Sequence, residues 1–275
     1  MCRFLSYSGP TTFMQELLLD SSYSLVNQSK HARMRFEPVN GDGFGVGWYP
    51  EHEDSVPGTF VSIEPAWSNR NLREIASKIP TSHFFAHVRD ASSGMPVSQA
   101  NCHPFQFGNY LWMHNGFIGD FNKCRRTLLN SLSDSAFNMI MGNTDSEHAF
   151  AIFLDELGLD NSGQDKTVDT NQLFDAVTRT ISRIIKIRKD SGCLSEAHMN
   201  FAVSNGLSSI FTRFNHNSKT TAPTLYYLQT NNHAGDELIV ASEPLSEEAH
   251  WQEVQHGEVL VLEKGKEMEI RKILV

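Results

Sequence analysis

Apolar and polar positions fall into short blocks along the chain. β-Branched and aromatic residues bounded by Gly, Pro, Asn or Ser predict strands over 3–7, 44–49, 59–63, 83–88, 110–113, 201–204, 209–214, 224–228, 237–241 and 258–262. Two longer stretches repeat at helical spacing. Asp145–Leu157 places Phe150, Phe153, Leu154 and Leu157 on one face, and 172–188 does the same with Phe174, Val177, Ile181, Ile184 and Ile185. Shorter helices are expected over 12–19, 72–79 and 120–132, and polar loops over 51–58, 160–171 and 215–223. None of these loops has the length or composition of a domain linker. Strands, then helices, then strands again, without βαβ alternation, predict an α+β fold in a single domain rather than a doubly wound sheet.

Composition narrows the classes. The 275 residues are 40% hydrophobic and 20% charged, as in globular proteins. A net charge of -9 argues against nucleic acid or an anionic membrane as the main partner. No apolar run approaches the ~18 residues of a membrane span, and the opening MCRFLSYSGP lacks a signal-peptide pattern. Cys2, Cys102, Cys124 and Cys193 form no C-x-x-C pair, so reduced thiols and a cytoplasmic location are expected.

Three familiar signals fail on spacing. In NGDGFGVG (residues 40–47) the third glycine of a dinucleotide loop would fall at Trp48, and no Lys-Ser/Thr follows. A tight turn entering a strand, with another backbone close by, is the reading that remains. His83 and His87 lie on a predicted strand, where four residues span roughly 13 Å, too far to share an ion. No metal and no cofactor is expected. Cys102 and His103 are neighbours that a strand would point to opposite faces.

The surviving constellation begins at Cys2. Removal of Met1 would leave a thiol and a free α-amine on one residue, and an amine of pKa about 7.7–8.0 can serve as that thiol's base. Arg89, in HVRDASSG, is a side chain suited to gripping a carboxylate. In MHNGFIGD, Asn115-Gly116 offers an amide NH₂ and an unhindered backbone N–H to a developing oxyanion, although Asn-Gly is ordinarily a turn. In GNTDSEHAF, Thr144 and Glu147 fit a capping box, leaving Asp145 to favour the helix dipole or to hold an ammonium group.

Taken together and in order, MCRFL, NGDGFGVGWY, AHVRDASSG, NCHPF, HNGFIGD and TDSE resemble the class II glutamine amidotransferases. The chain is most similar to their small stand-alone subgroup, whose members include bacterial proteins and a component of fungal glutathione breakdown. FAVSNGLSSIFTRF (201–214) and VASEPL (240–245) extend the resemblance over most of the chain. It implies the four-layer αββα sandwich of N-terminal-nucleophile hydrolases, as one domain over residues 2–275. It also implies Cys2 as nucleophile and Asn115 with the Gly116 N–H as oxyanion hole. Arg89, assisted by Ser92 and Ser93, would hold the substrate α-carboxylate, Asp145 its α-ammonium, and His103 would line the pocket. One departure is Asp90, where many members carry Trp after the Arg.

Hydrolysis of a γ-glutamyl amide, in glutamine or in a γ-glutamyl peptide or thiol compound, is the leading expectation. Its rival is a glutaminase subunit passing ammonia to a separate synthase, and any protein partner, synthase or peptidase-like, would be another polypeptide. A non-catalytic ligand-binding subunit is a third reading, opposed by the presence of the whole residue set.

Overall fold

Fourteen strands and six α-helices are assigned among the described residues of the computed structural model, which are 2–34, 38–51, 56–91, 96–159, 168–217, 222–232, 235–247 and 250–274. They divide into two compact units: Met1–Gln106 with Thr224–Val254, and Phe107–Pro223 with Gln255–Val275.

The first unit is built on β1 (Arg3–Phe13), β2 (Phe44–Trp48), β3 (Gly58–Ser62), β4 (Pro80–Val88), β10 (Tyr226–Asn232), β11 (Gly235–Ala241) and β12 (Gln252–Glu253). These pair antiparallel in the order β12-β10-β11-β1-β4-β2-β3. Alternation does the folding here. Leu5 and Tyr7 of β1 stand beside Ala86 and Phe84 of β4 and beside Ala241 and Ile239 of β11, so one face of the sheet is continuously apolar. Helices α1 (Leu25–Lys30) and α2 (Arg70–Lys78) contribute Leu25, Val26, Leu72 and Ala76 to that core.

The second unit carries β6 (Tyr110–Ile118), β7 (Ala197–Ser204), β8 (Ser208–Thr212), β13 (Glu258–Glu263) and β14 (Glu269–Lys272). With β5 (Phe105–Phe107) its sheet runs β14-β13-β8-β7-β6-β5, and β9 (Asn215–His216) also pairs with β7. Its helices are α3 (Phe121–Asn130), α4 (Asp134–Asn138), α5 (Asp145–Leu157) and α6 (Thr170–Asp190). Trp112 of β6 is fully buried, with ring centroids 5.7, 5.2 and 4.6 Å from Phe150 and Phe153 of α5 and Phe201 of β7.

All ten predicted strands are present, and α5 has the expected bounds. Residues 12–19 are a correction: β1 continues to Phe13 by pairing with Pro80 and Thr81, and a π-helical turn follows at Glu16–Asp20. On α6 the buried stripe runs through Leu173, Val177, Ile181 and Ile184, with Phe174 and Ile185 only half-buried at its margin. The loop predicted over 160–171 falls largely outside the described residues, and α6 begins at Thr170 behind an Asp169–Gln172 capping box. Among the described residues no helix is long and apolar enough to cross a membrane.

Candidate active site

Cys2 directly precedes β1, and Arg89 directly follows β4. Because Arg3 pairs with Val88, and Val88 in turn pairs with Phe44, the start of β1, the end of β4 and the start of β2 share one end of the sheet. Cys2 is buried, and its thiol lies 3.7 Å from the Asp90 carbonyl. Burial pushes that thiol above its ordinary value.

Arg89 is 4% exposed. Its loop is tied to the segment before β2. The Arg89 N–H donates to the Gly43 carbonyl at 2.8 Å, Asp42 N–H donates to the Arg89 carbonyl at 3.1 Å, and Asp42 Oδ2 accepts from Ala91 N–H at 2.8 Å. The guanidinium lies at longer range from the Asp42 and Pro96 carbonyls, at 3.3 and 3.4 Å. Asp42 is thus what fixes the Arg89 loop, a role hidden in the sequence by the glycines around it. Those glycines are there for space. A Cβ on Gly43, whose φ is +112°, would stand 2.7 Å from Cys102 Sγ, and one on Gly45 would collide with the His103 carbonyl. The turn-and-close-approach reading of NGDGFGVG holds.

His103 is buried, with Nδ1 2.7 Å from His87 Nε2. Cys102 turns elsewhere, towards the carbonyls of Ser62 and Ser98 at 3.4 and 3.5 Å, and burial pushes its thiol up to about 11. The two are therefore not a thiol–base pair. The strand expected to separate them is absent, since Cys102 closes a short 3-10 turn and His103 precedes Pro104 in a cis peptide. His83 has its own partner, the Tyr7 carbonyl 2.8 Å from Nδ1.

In the second unit Asn115 and Gly116 lie inside β6, opposite Asn200 and Met199 of β7. The expected strand end at residue 113 is corrected: β6 runs on to Ile118, so this Asn-Gly is not a turn. Gly116 is required because a Cβ there would collide with the His198 carbonyl. His114 holds that same carbonyl, at 2.8 Å from its Nε2, and its Nδ1 is 2.9 Å from Ser146 Oγ.

Asp145 opens α5. Its Oδ2 accepts from Ile118 N–H of β6 at 2.6 Å and its Oδ1 from Ser146 N–H at 2.9 Å. Asp145 therefore tethers α5 to the strand that carries Asn115 and Gly116. Thr144 caps the helix as expected, accepting from Glu147 N–H at 3.2 Å, but Glu147 does not complete the box. Its carboxylate accepts the N–H groups of Met141 and Gly142, both at 2.7 Å at the nearer oxygen. His114 and Ser146, neighbours of Asn115 and Asp145 within HNGFIGD and TDSE, thus form a second link between the two segments. Ser92 and Ser93 lie outside the described residues.

The nucleophile and carboxylate-gripping candidates are thus together in the first unit, and the amide, glycine and acid candidates in the second. No group of three or more His, Cys, Asp or Glu among the described residues could hold a metal ion.

Comparison with known proteins agrees with the resemblance. The family model described as "Glutamine amidotransferases class-II" matches residues 13–273. The chain is 37% identical to the probable glutamine amidotransferase DUG3 of Saccharomyces cerevisiae, over 96% of this chain and 82% of that protein. It is 27% identical to a gamma-glutamyl-hercynylcysteine sulfoxide hydrolase of Mycobacterium tuberculosis, over 96% of this chain and 94% of the relative. Among solved structures it is similar to a glutamine aminotransferase class-II domain protein from Silicibacter pomeroyi, with a TM-score of 0.69, 24% identity and 99% of each chain covered. That likeness shows the fold, an α+β architecture with two antiparallel sheets and helices. The chain belongs to the class II glutamine amidotransferases.

Proposed function

We propose that this protein is a γ-glutamyl amidohydrolase working through a thioester on Cys2, with one catalytic domain over residues 2–275 once Met1 is removed. The observation that carries this reading is the placement of Cys2 and Arg89 at adjacent strand ends of one sheet, with the thiol against the Asp90 carbonyl. A nucleophile and a buried cation so placed suit a substrate with a carboxylate at one end and an amide at the other.

In the proposed reaction the α-amine of Cys2 takes the thiol proton and the sulfur attacks the γ-carboxamide carbon. Asn115 and the Gly116 N–H stabilise the oxyanion, and loss of one such donor typically costs about 3–4 kcal/mol in the barrier. Arg89, with Ser92 and Ser93, holds the α-carboxylate, Asp145 the α-ammonium, and His103 lines the pocket. The tetrahedral intermediate collapses to the γ-glutamyl thioester, and the leaving amine departs with the proton. Water then hydrolyses the thioester and releases glutamate.

The M. tuberculosis relative, named for a γ-glutamyl sulfoxide of hercynylcysteine, favours a substrate larger than glutamine. The yeast relative, named as a glutamine amidotransferase, favours the second reading, a subunit delivering ammonia to a separate synthase. Glutamate release across glutamine, γ-glutamyl peptides and γ-glutamyl thiol compounds separates the two. Preference for a peptide or thiol compound supports the hydrolase. Intact mass should show Met1 absent, and Cys2→Ala should abolish release. Undiminished turnover in that variant, or full Met1 retention in active protein, would refute the mechanism.

A further inference from the structure

The segment VASEPL has no part in the scheme above, yet its Ser242 and Glu243 are buried and grip the first residues of the chain. Phe4 N–H donates to Ser242 Oγ, and Ser242 N–H donates to the Phe4 carbonyl, both at 3.0 Å. Glu243 Oε1 accepts from Arg3 Nε at 2.6 Å, in an ion pair whose side chains are 2% and 3% exposed. Through Nη1 the same guanidinium donates to the main-chain carbonyl of Cys2 at 2.9 Å. Glu243 is itself fixed from a second segment, accepting the N–H groups of Arg33 and Met34 at 2.8 and 3.1 Å.

We infer that Arg3 and Glu243 are positioning residues for the nucleophile: a carboxylate anchored in the core holds a planar guanidinium, which holds the Cys2 carbonyl and so directs the thiol and α-amine. This rests on Cys2 being the nucleophile. With Met1 gone, Cys2 has no preceding peptide unit, and terminal residues fray unless tied down. Its carbonyl is then the main-chain group through which its orientation can be set. Nε and Nη1 of one guanidinium keep a fixed geometry, so the position of Glu243 dictates that of the carbonyl. A lysine would satisfy the charge without the second prong.

The test compares wild type with Glu243→Gln and Arg3→Lys, checking Met1 removal by intact mass and folding by thermal melts. Steady-state glutamate release is measured on the best γ-glutamyl substrate. Inactivation is measured with a glutamine analogue bearing a diazoketone in place of the carboxamide, with peptide mass locating the label on Cys2. Folded, processed variants should keep KM and the inactivator's KI within about threefold while kcat and the maximal inactivation rate fall about 10–100-fold, as misplacement of a reacting group by about 1 Å does. A purely structural role would lower the melting temperature and leave kcat unchanged below the transition. A kcat within twofold of wild type overturns the inference. Should Glu243→Gln not fold, Arg3→Lys, which keeps the ion pair, carries the same readouts. A wild type that neither turns over nor takes the label on Cys2 removes the nucleophile reading and this inference with it. A labelled wild type with unimpaired variants overturns the positioning alone.

Discussion

His114 has both ring nitrogens engaged, by the Ser146 hydroxyl and the His198 carbonyl. A carbonyl only accepts, so Nε2 carries the proton and Nδ1 accepts from Ser146. Burial is the main reason its pKa is lowered from 6.5, with Asp145 and the hydrogen bond to the His198 carbonyl opposing. The folded ring is thus neutral where the unfolded one takes up a proton, so this contribution to stability is complete above pH 6.5 and is lost as pH falls below it. Urea unfolding at pH 7.5, 6.5 and 5.5 should show a decline on the acid side. In His114→Asn that decline should be shallower by up to about 1.4 kcal/mol per pH unit, one proton's worth. An unchanged acid limb would count against a neutral buried His114. At this scale the sequence supplied residue types within motifs. It could not supply tautomers or partners, because His198 stands 84 positions from His114.

At the scale of elements, β6 shows why a local signal misled. Asn-Gly reads as a turn when only neighbours in sequence are considered. Here the ladder to β7 continues through it, and the glycine answers to a backbone across the sheet rather than to a bend. A methyl group at Gly116 meets a main-chain carbonyl, which cannot move aside as a flexible side chain can. Gly116→Ala should therefore destabilise the protein by about 1–3 kcal/mol in urea unfolding, the usual range for overpacking. Glutamate release should fall well beyond what that loss explains. Wild-type stability and activity together would refute the close approach. Helix α5 is the opposite case, because Thr144 and the Phe150–Leu157 face act within the segment itself and are readable in order, and Gly158 closes its C-terminus.

For the whole molecule the informative feature is the path of the chain. Each unit takes residues from two separate stretches, and the chain passes between units three times. β11 and β12 complete the sheet of β1 only by residue 253, and β13 joins β8 only near the end of the chain. Neither unit can close on one continuous segment, and cooperative unfolding follows. Calorimetry should give a single transition with a calorimetric-to-van't Hoff enthalpy ratio near one. Two resolved transitions would argue against the single catalytic domain proposed here.

The sequence by itself determined the α+β class, ten strands, the α5 bounds and the family, because alternation, helical spacing, caps and short motifs are all local patterns. It also singled out Cys2, Arg89, Asn115, Gly116 and Asp145 as candidates. The tertiary structure decided what stands beside them: Asp42 fastening the Arg89 loop, Asp145 joined to β6, and Glu243 reaching Cys2 through Arg3. These contacts join residues 27 to 240 positions apart, apart from the Arg3–Cys2 link itself. They depend on strand order and burial, which no window of neighbouring residues contains.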